Sequence, residues 1–76
     1  MTIYTIQLCD GSWPEHVGET LFYGELPCIG HELHVHLDEA GMLKWRFRVL
    51  SVDHHATLQH TGTYATKVVV VVERAR

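Results

Sequence analysis

The feature that most constrains the fold of this chain is a run of five consecutive valines, Val68–Val72. β-Branched side chains lose rotamer freedom in a helix and pack well on a pleated sheet. The run therefore predicts a strand, which we place at residues 64–73. Because both faces of this stretch are apolar, it is typical of a strand covered on both sides or of a strand in a tightly closed barrel.

Alternation of apolar and polar residues predicts further strands. Residues 2–8, 32–37 and 43–49 each place apolar side chains at every second position. Residues 19–23 are typical of a short strand or an extended arm. The segment 38–42 has the length of a hairpin loop, so the two strands beside it are expected to pair.

The alternation changes phase after Val49, because the next apolar residues are offset by one position. Such an offset indicates a β-bulge, which bends a strand and lets a sheet curl. Residues 53–63 are polar and rich in turn formers, and we interpret them as a loop. The sequence thus predicts one mostly-β domain over residues 1–76, a five-stranded bent antiparallel sheet closing into a small SH3-like or OB-like barrel. A proline in a capping-box context allows one short helical turn near residues 13–17.

The composition argues against several classes of function. A formal charge of −3 and a pI near 6.1 disfavour a general nucleic-acid binder. There is no apolar run of membrane-spanning length and no signal pattern, so we expect a cytoplasmic protein that does not bind membranes. Cys9 and Cys28 are expected to be reduced, buried thiols. Because so small a core is usually marginal alone, we expect a homo-oligomer.

Charge is divided unevenly along the chain. Residues 1–43 contain seven acidic residues and neither Lys nor Arg, whereas residues 44–76 contain all six Lys and Arg residues and two acidic ones. The two halves should therefore attract each other. Matching the inward faces of the central hairpin predicts a register, and with it one cross-strand ion pair. The predicted pairs are Glu32 with Arg48, His34 with Arg46, and His36 with Lys44.

The seven histidines raise the question of a metal site. His34 and His36 lie on the same side of one strand, a spacing that can chelate zinc or copper if further ligands approach. The candidates for those ligands are His31, His54 and His55, followed by Cys28 and His60. Arg46 and Lys44, on the opposite strand, would repel a dication. A third interpretation of the same pair is a pH-sensitive surface, destabilised when its imidazoles are protonated beside these cations.

The sequence contains no assembled catalytic set, so we predict that the chain is not an enzyme and has no cofactor unless the zinc alternative holds. Cys28 and His31 are three residues apart, but no third group that would orient them is evident. Lys44, Arg46 and Arg48 form a basic stripe. The neighbouring aromatic side chains are predicted to face inward, where they cannot stack on bases.

Two short segments carry a resemblance. Residues 26–33 read LPCIGHEL and residues 46–54 read RFRVLSVDH. They resemble many short bacterial and phage proteins of unknown role, which read L-P-x-V-G-D followed by a strand and Y-x-V-x-x-V-x-H. In this chain His31 replaces the acidic residue and Phe47 takes the aromatic position. The resemblance implies a small bent sheet and an accessory protein of the mobile-element type, but no particular chemistry.

The function that these observations favour is a non-enzymatic protein–protein interaction module acting as a homo-oligomer. An unprotected edge of the valine strand would invite a second copy by strand addition. A His-based metal module is the alternative, and a nucleic-acid-binding barrel is a lower one. The predicted interaction residues are Val68, Val70 and Val72 of the valine strand, and Lys44, Arg46 and Arg48 of the basic stripe.

Overall fold

The computed structural model describes residues 1–39 and 44–75. Five strands form a single sheet that curls into a half-barrel, and the described residues include no helix. This architecture confirms the predicted mostly-β class with five strands. The order across the sheet is β2-β1-β5-β4-β3. The strands are β1 (Thr2–Leu8), β2 (Phe22–Gly24), β3 (Glu32–His36), β4 (Lys44–Leu58) and β5 (Tyr64–Arg74).

The sheet is mixed, so the prediction of a purely antiparallel sheet is wrong for one pair of strands. β1 runs parallel to β5, with Tyr4 opposite Val68 and Leu8 opposite Val72. The other neighbouring pairs, β1–β2, β3–β4 and β4–β5, are antiparallel. Alternation of side chains shows which face of a strand is buried but carries no information about its direction, which explains the error.

The core lies on the concave face of the sheet. Ile6, Val70 and Val72 have no exposed surface, and Phe47 and Val49 are 1% exposed. Around this centre, Tyr4 stacks on Phe22 with 5.6 Å between the ring centroids. The partly buried side chains packed against the core are Leu8, Phe22, Leu26, Leu33, Val35, Trp45, Val52 and Val68. The alternating apolar positions of the sequence thus meet in one cluster.

β4 shows both a confirmed prediction and a wrong one. The pairing register between β4 and β5 shifts between Val49 and Ser51, at the bulge that the phase slip predicts. β4 does not end there, however. It continues to Leu58 and leaves only residues 59–63 as a turn, so the predicted loop at 53–63 is mostly strand. The polar side chains of this stretch are compatible with a strand because none of them has to enter the core.

The segment between β1 and β2 contains turns rather than a helix. The amides of Val17 and Gly18 both donate to the carbonyl of Pro14, at 3.1 and 2.9 Å, so the helical turn allowed near residues 13–17 is a single hydrogen-bonded turn. The Ser12 hydroxyl contacts the Asp10 carboxylate instead of capping that turn. The thiols of Cys9 and Cys28 are free, and both are exposed rather than buried as predicted.

Candidate interaction surfaces

The outer face of the β3–β4 hairpin contains the predicted metal ligands. The observed register is the predicted one: Glu32 pairs with Arg48, His34 with Arg46, and His36 with Lys44. The last three residues of the predicted loop, 40–42, and the first residue of the predicted return strand, Leu43, lie outside the described residues. The predicted ion pair forms diagonally rather than straight across the strands, because Arg46 Nη2 donates to Glu32 Oε1 at 2.9 Å.

Glu32 is the centre of this face. Its other carboxylate oxygen, Oε2, lies 3.2 Å from His34 Nε2. The hydrogen bond with His34 lowers the pKa of the Glu32 carboxyl, and the hydrogen bond from Arg46 lowers it further. A protonated His34 would therefore meet a carboxylate as well as a guanidinium. The simple repulsion expected for a pH-sensitive surface does not describe this geometry.

The remaining candidate ligands are dispersed in the fold. His31 precedes β3, and its carbonyl accepts a hydrogen bond from the amide of Val49. His54 and His55 lie on the far part of β4, and His60 lies in the turn that follows. Within residues 1–39 and 44–75, no group of three or more His, Cys, Asp or Glu side chains could hold a metal ion. The zinc hypothesis for His34 and His36 therefore stays a prediction from their spacing.

The predicted interaction edge at Val68–Val72 is wrong. β5 lies in the interior of the sheet, paired with β1 on one side and β4 on the other. Val70 and Val72 are fully buried, and Val68 packs partly against the core. The valine run is thus a central strand, in agreement with its two apolar faces. In contrast, Lys44, Arg46 and Arg48 are exposed, as the basic stripe requires.

The far ends of β4 and β5 extend beyond the core as a two-stranded ribbon. We call residues 54–67 the arm. Its pairs run from His55 opposite Lys67 to Leu58 opposite Tyr64, and every residue from His54 to Lys67 is exposed. The concave face of the core continues onto the arm through alternate positions. It ends at Leu58 and Tyr64, which are 60% and 64% exposed.

The arm closes in a tight turn. The amide of Gln59 donates to the carbonyl of Thr63 at 2.8 Å, and the amide of Gly62 donates to the carbonyl of Gln59 at 3.0 Å. Gly62 has a φ of 82°, which glycine adopts without steric cost. This is the three-residue hairpin connection with a glycine in the left-handed region. The sequence prediction missed the arm because no apolar alternation marks residues 53–63.

A second surface, which the sequence does not predict, surrounds the Trp45 side chain where β4 extends past the end of β5. We call this surface the Trp45 cleft. Its volume is about 520 Å³, and Arg74 lies over the Trp45 ring with 3.6 Å from its Cζ atom to the ring centroid. The described residues that line the cleft are Lys44, Trp45, Arg46, Arg74 and Ala75. The sequence places Trp45 on the inward face, but it gives no sign that a cation would cover the ring.

An apolar cavity of about 190 Å³ shares Trp45 and Arg74 as walls with the Trp45 cleft. Its other described lining residues are Leu8, Trp13, Pro14, Glu15 and Phe47. A third cavity, of about 460 Å³, lies beside Trp45, Lys44, His16 and Leu37. The Trp45 Nε1 donor is buried and has no hydrogen-bond partner among the described residues. One aromatic ring thus borders three cavities and carries an unsatisfied donor.

Comparisons with family models, curated proteins and solved structures found no match to this chain. The resemblance to short bacterial and phage proteins therefore stays an expectation from the sequence. The described part of the chain contains no helix long and apolar enough to span a membrane. The two surfaces that distinguish this molecule are therefore the arm and the Trp45 cleft.

Proposed function

We propose that this chain is a non-enzymatic protein–protein interaction module that acts as a homodimer through its arm. The observation that supports the proposal is a regular β-ribbon in which every residue from His54 to Lys67 is exposed. A two-stranded hairpin is marginal in water by itself, whereas three or more strands with a covered apolar face are stable. A second arm would supply those strands.

The outer edge of β4 is the surface that we assign to the partner copy. β3 pairs with β4 only at residues 44–48, so no strand of the described chain covers residues 54–58. This stretch contains no Lys, Arg, Asp or Glu, the residues that commonly protect a strand edge. The other edge of the arm, on β5, contains Lys67. Because lysine blunts strand addition, the β4 edge is favoured.

A second copy of this chain fits that edge better than an unrelated partner. One strand edge that pairs antiparallel with its own copy generates a two-fold symmetric interface, which needs no second sequence. The dimer would also bring the exposed apolar tips, with Leu58 and Tyr64, close to another protein surface. Two free thiols, Cys9 and Cys28, support a reducing compartment such as the cytoplasm for this module.

The turn determines which amides face the partner. Gln59 and Thr63 form a hydrogen-bonded pair. Along an antiparallel ladder, hydrogen-bonded pairs alternate with pairs that are not hydrogen-bonded to each other. The Ala56–Thr66 pair is therefore one whose amides point away from the ladder, outward from each strand. Ala56→Pro removes an outward donor from the β4 edge and places a ring there, while the β4–β5 bonds stay intact. Thr66→Pro makes the matched change on the β5 edge.

Sedimentation velocity over a hundredfold range of protein concentration tests the proposal. We expect a dimer for the wild type and for Thr66→Pro, and a monomer for Ala56→Pro. A dispersed amide NMR spectrum for each variant would show that it has folded. A wild type that stays monomeric at the highest concentration would overturn the proposal. A dimer lost in Thr66→Pro but kept in Ala56→Pro would overturn the assignment to β4 and place the interface on β5.

A further inference from the structure

We infer that the Trp45 cleft binds a small organic anion, with the oxyanion group held by Arg74 and Lys44 and an apolar or aromatic body packed beside Trp45. The cleft lies at the opposite end of the β4–β5 ribbon from the turn of the arm. The inference therefore does not depend on the proposed dimer.

The charge of the cleft indicates an anionic ligand. Three cations line it, and no carboxylate of the described residues does. Arg46 is already paired with Glu32 at 2.9 Å. Arg74 and Lys44 have no ion-pair partner among the described residues, although the chain as a whole is acidic at −3. Two cations without an ion-pair partner among the described residues lie on one concave surface, where an oxyanion can satisfy both. The edge of the planar Arg74 guanidinium, whose face lies over the Trp45 ring, can bind it in a bidentate manner.

The surroundings of Trp45 indicate the body of the ligand. The neighbouring cavity of about 190 Å³ is apolar on most sides, because Leu8, Trp13 and Phe47 contribute to its lining. Its one described acidic lining residue, Glu15, is exposed. The Trp45 Nε1 donor is buried and has no hydrogen-bond partner among the described residues, and an oxygen acceptor that reached it would satisfy it. A ligand with an oxyanion on an aromatic ring would match both parts of the surface.

A control variant with the same change in net charge distinguishes specific binding in the cleft from general attraction to positive charge. Arg48 belongs to the same basic stripe but is not among the described residues that line the cleft, and in the strand register it lies opposite Glu32 and Glu73. Arg48→Gln therefore changes the net charge as Arg74→Gln does, without changing the cleft. Loss of one charge-assisted hydrogen bond should weaken binding about tenfold or more. We expect this loss in Arg74→Gln, and less than about twofold weakening in Arg48→Gln.

The test uses ¹⁵N-labelled protein and the indole N–H resonance of Trp45, which the Trp13→Phe variant identifies by removing the other tryptophan. The probes are phenyl phosphate, phenylacetate, inorganic phosphate and neutral benzyl alcohol. We expect at least one aromatic anion to shift the Trp45 resonance saturably, inorganic phosphate to bind more weakly, and benzyl alcohol to cause no saturable shift. The tighter of the two aromatic anions identifies the oxyanion as phosphate or carboxylate.

Three outcomes would overturn the inference. The first is that neither aromatic anion shifts the Trp45 resonance saturably. The second is that benzyl alcohol binds as tightly as the aromatic anions do. The third is that Arg48→Gln weakens binding as much as Arg74→Gln does. Lys44→Gln serves as the second cleft variant if Arg74→Gln loses the dispersed spectrum of a folded protein. Repeating the titration in the Ala56→Pro background keeps this result separate from the oligomeric state.

Discussion

The centre of the sheet and the arm are built from the same two strands, but different forces stabilise them. In the centre, Val49 of β4 and Val72 of β5 are at most 1% exposed. In the arm, the same strands continue as pairs in which every residue is exposed. Burial of apolar surface stabilises by about 25 cal/mol per Å², whereas an exposed hairpin depends on backbone pairing alone. The arm is therefore the region whose order should respond to a partner.

The largest expected effect compares one aromatic side chain in each region. Phe47 is 1% exposed and Tyr64 is 64% exposed. Phe47→Ala should lower the free energy of unfolding by about 3–5 kcal/mol, because it removes a core ring and leaves a cavity. Tyr64→Ala should cost less than about 1 kcal/mol in the monomer. Urea unfolding, at a protein concentration too low for the dimer to form, measures both changes in the free energy of unfolding.

The expected cost of Phe47→Ala is a large fraction of the total stability of a domain this size, about 4–11 kcal/mol. If that variant does not fold, Ile6→Val provides a milder core change, with a loss of about 0.5–1.5 kcal/mol. Equal losses for core and arm substitutions at low concentration would show that the arm is packed within one copy, contrary to the comparison.

An intermediate effect concerns the turn of the arm. Gly62 and Gly11 have φ values of 82° and 89°, and a Cβ added at either would meet no atom within 4 Å. Alanine at each position therefore costs about 1 kcal/mol through backbone strain alone. Gly62→Ala should weaken the dimer about fivefold, as measured by sedimentation equilibrium, because it destabilises the arm. Gly11→Ala, in the turn after β1, should leave the dimer unchanged. Equal weakening of the dimer by both substitutions would show that dimerisation does not depend on the arm.

The smallest effect concerns Glu32, which is exposed and hydrogen-bonded to His34 and Arg46. Because these contacts lower its folded-state pKa, the ionised carboxylate stabilises the fold above its ordinary pKa. That contribution disappears as the pH falls through the lowered folded-state value. Glu32→Gln should lower Tm slightly at neutral pH, and the difference from wild type should shrink in acid. Glu39→Gln, at another exposed glutamate, is the control. A Tm difference between Glu32→Gln and wild type that does not change with pH would contradict this account of Glu32.

Parts of the fold could be predicted because burial leaves a periodic pattern in the sequence. The register that sets His34 opposite Arg46 follows from matching two inward faces, and the structure confirms it. The bulge between Val49 and Ser51 follows from the phase of the same pattern. In both cases the sequence contains the information because one face of the strand is covered within a single copy.

The unpredicted parts are those in which single-copy burial does not determine the structure. The stretch from Asp53 to Leu58 is a strand because its backbone pairs with β5, and its side chains face solvent on both sides for most of its length. The parallel pairing of β1 with β5 leaves the alternation unchanged, so it leaves no signal either. The Trp45 cleft depends on Arg74 reaching across from another strand, a contact that no local pattern encodes.

Amide hydrogen exchange measured at several protein concentrations tests the central claim most directly, because it reads the arm and the core in one sample. The amides of Ala56 and Leu58 point outward from the β4 edge, whereas Val70 lies in the fully buried centre. We predict that protection of Ala56 and Leu58 rises with concentration, while Val70 stays protected throughout. Fast exchange of Ala56 and Leu58 at every concentration would contradict the claim that a second copy covers the arm.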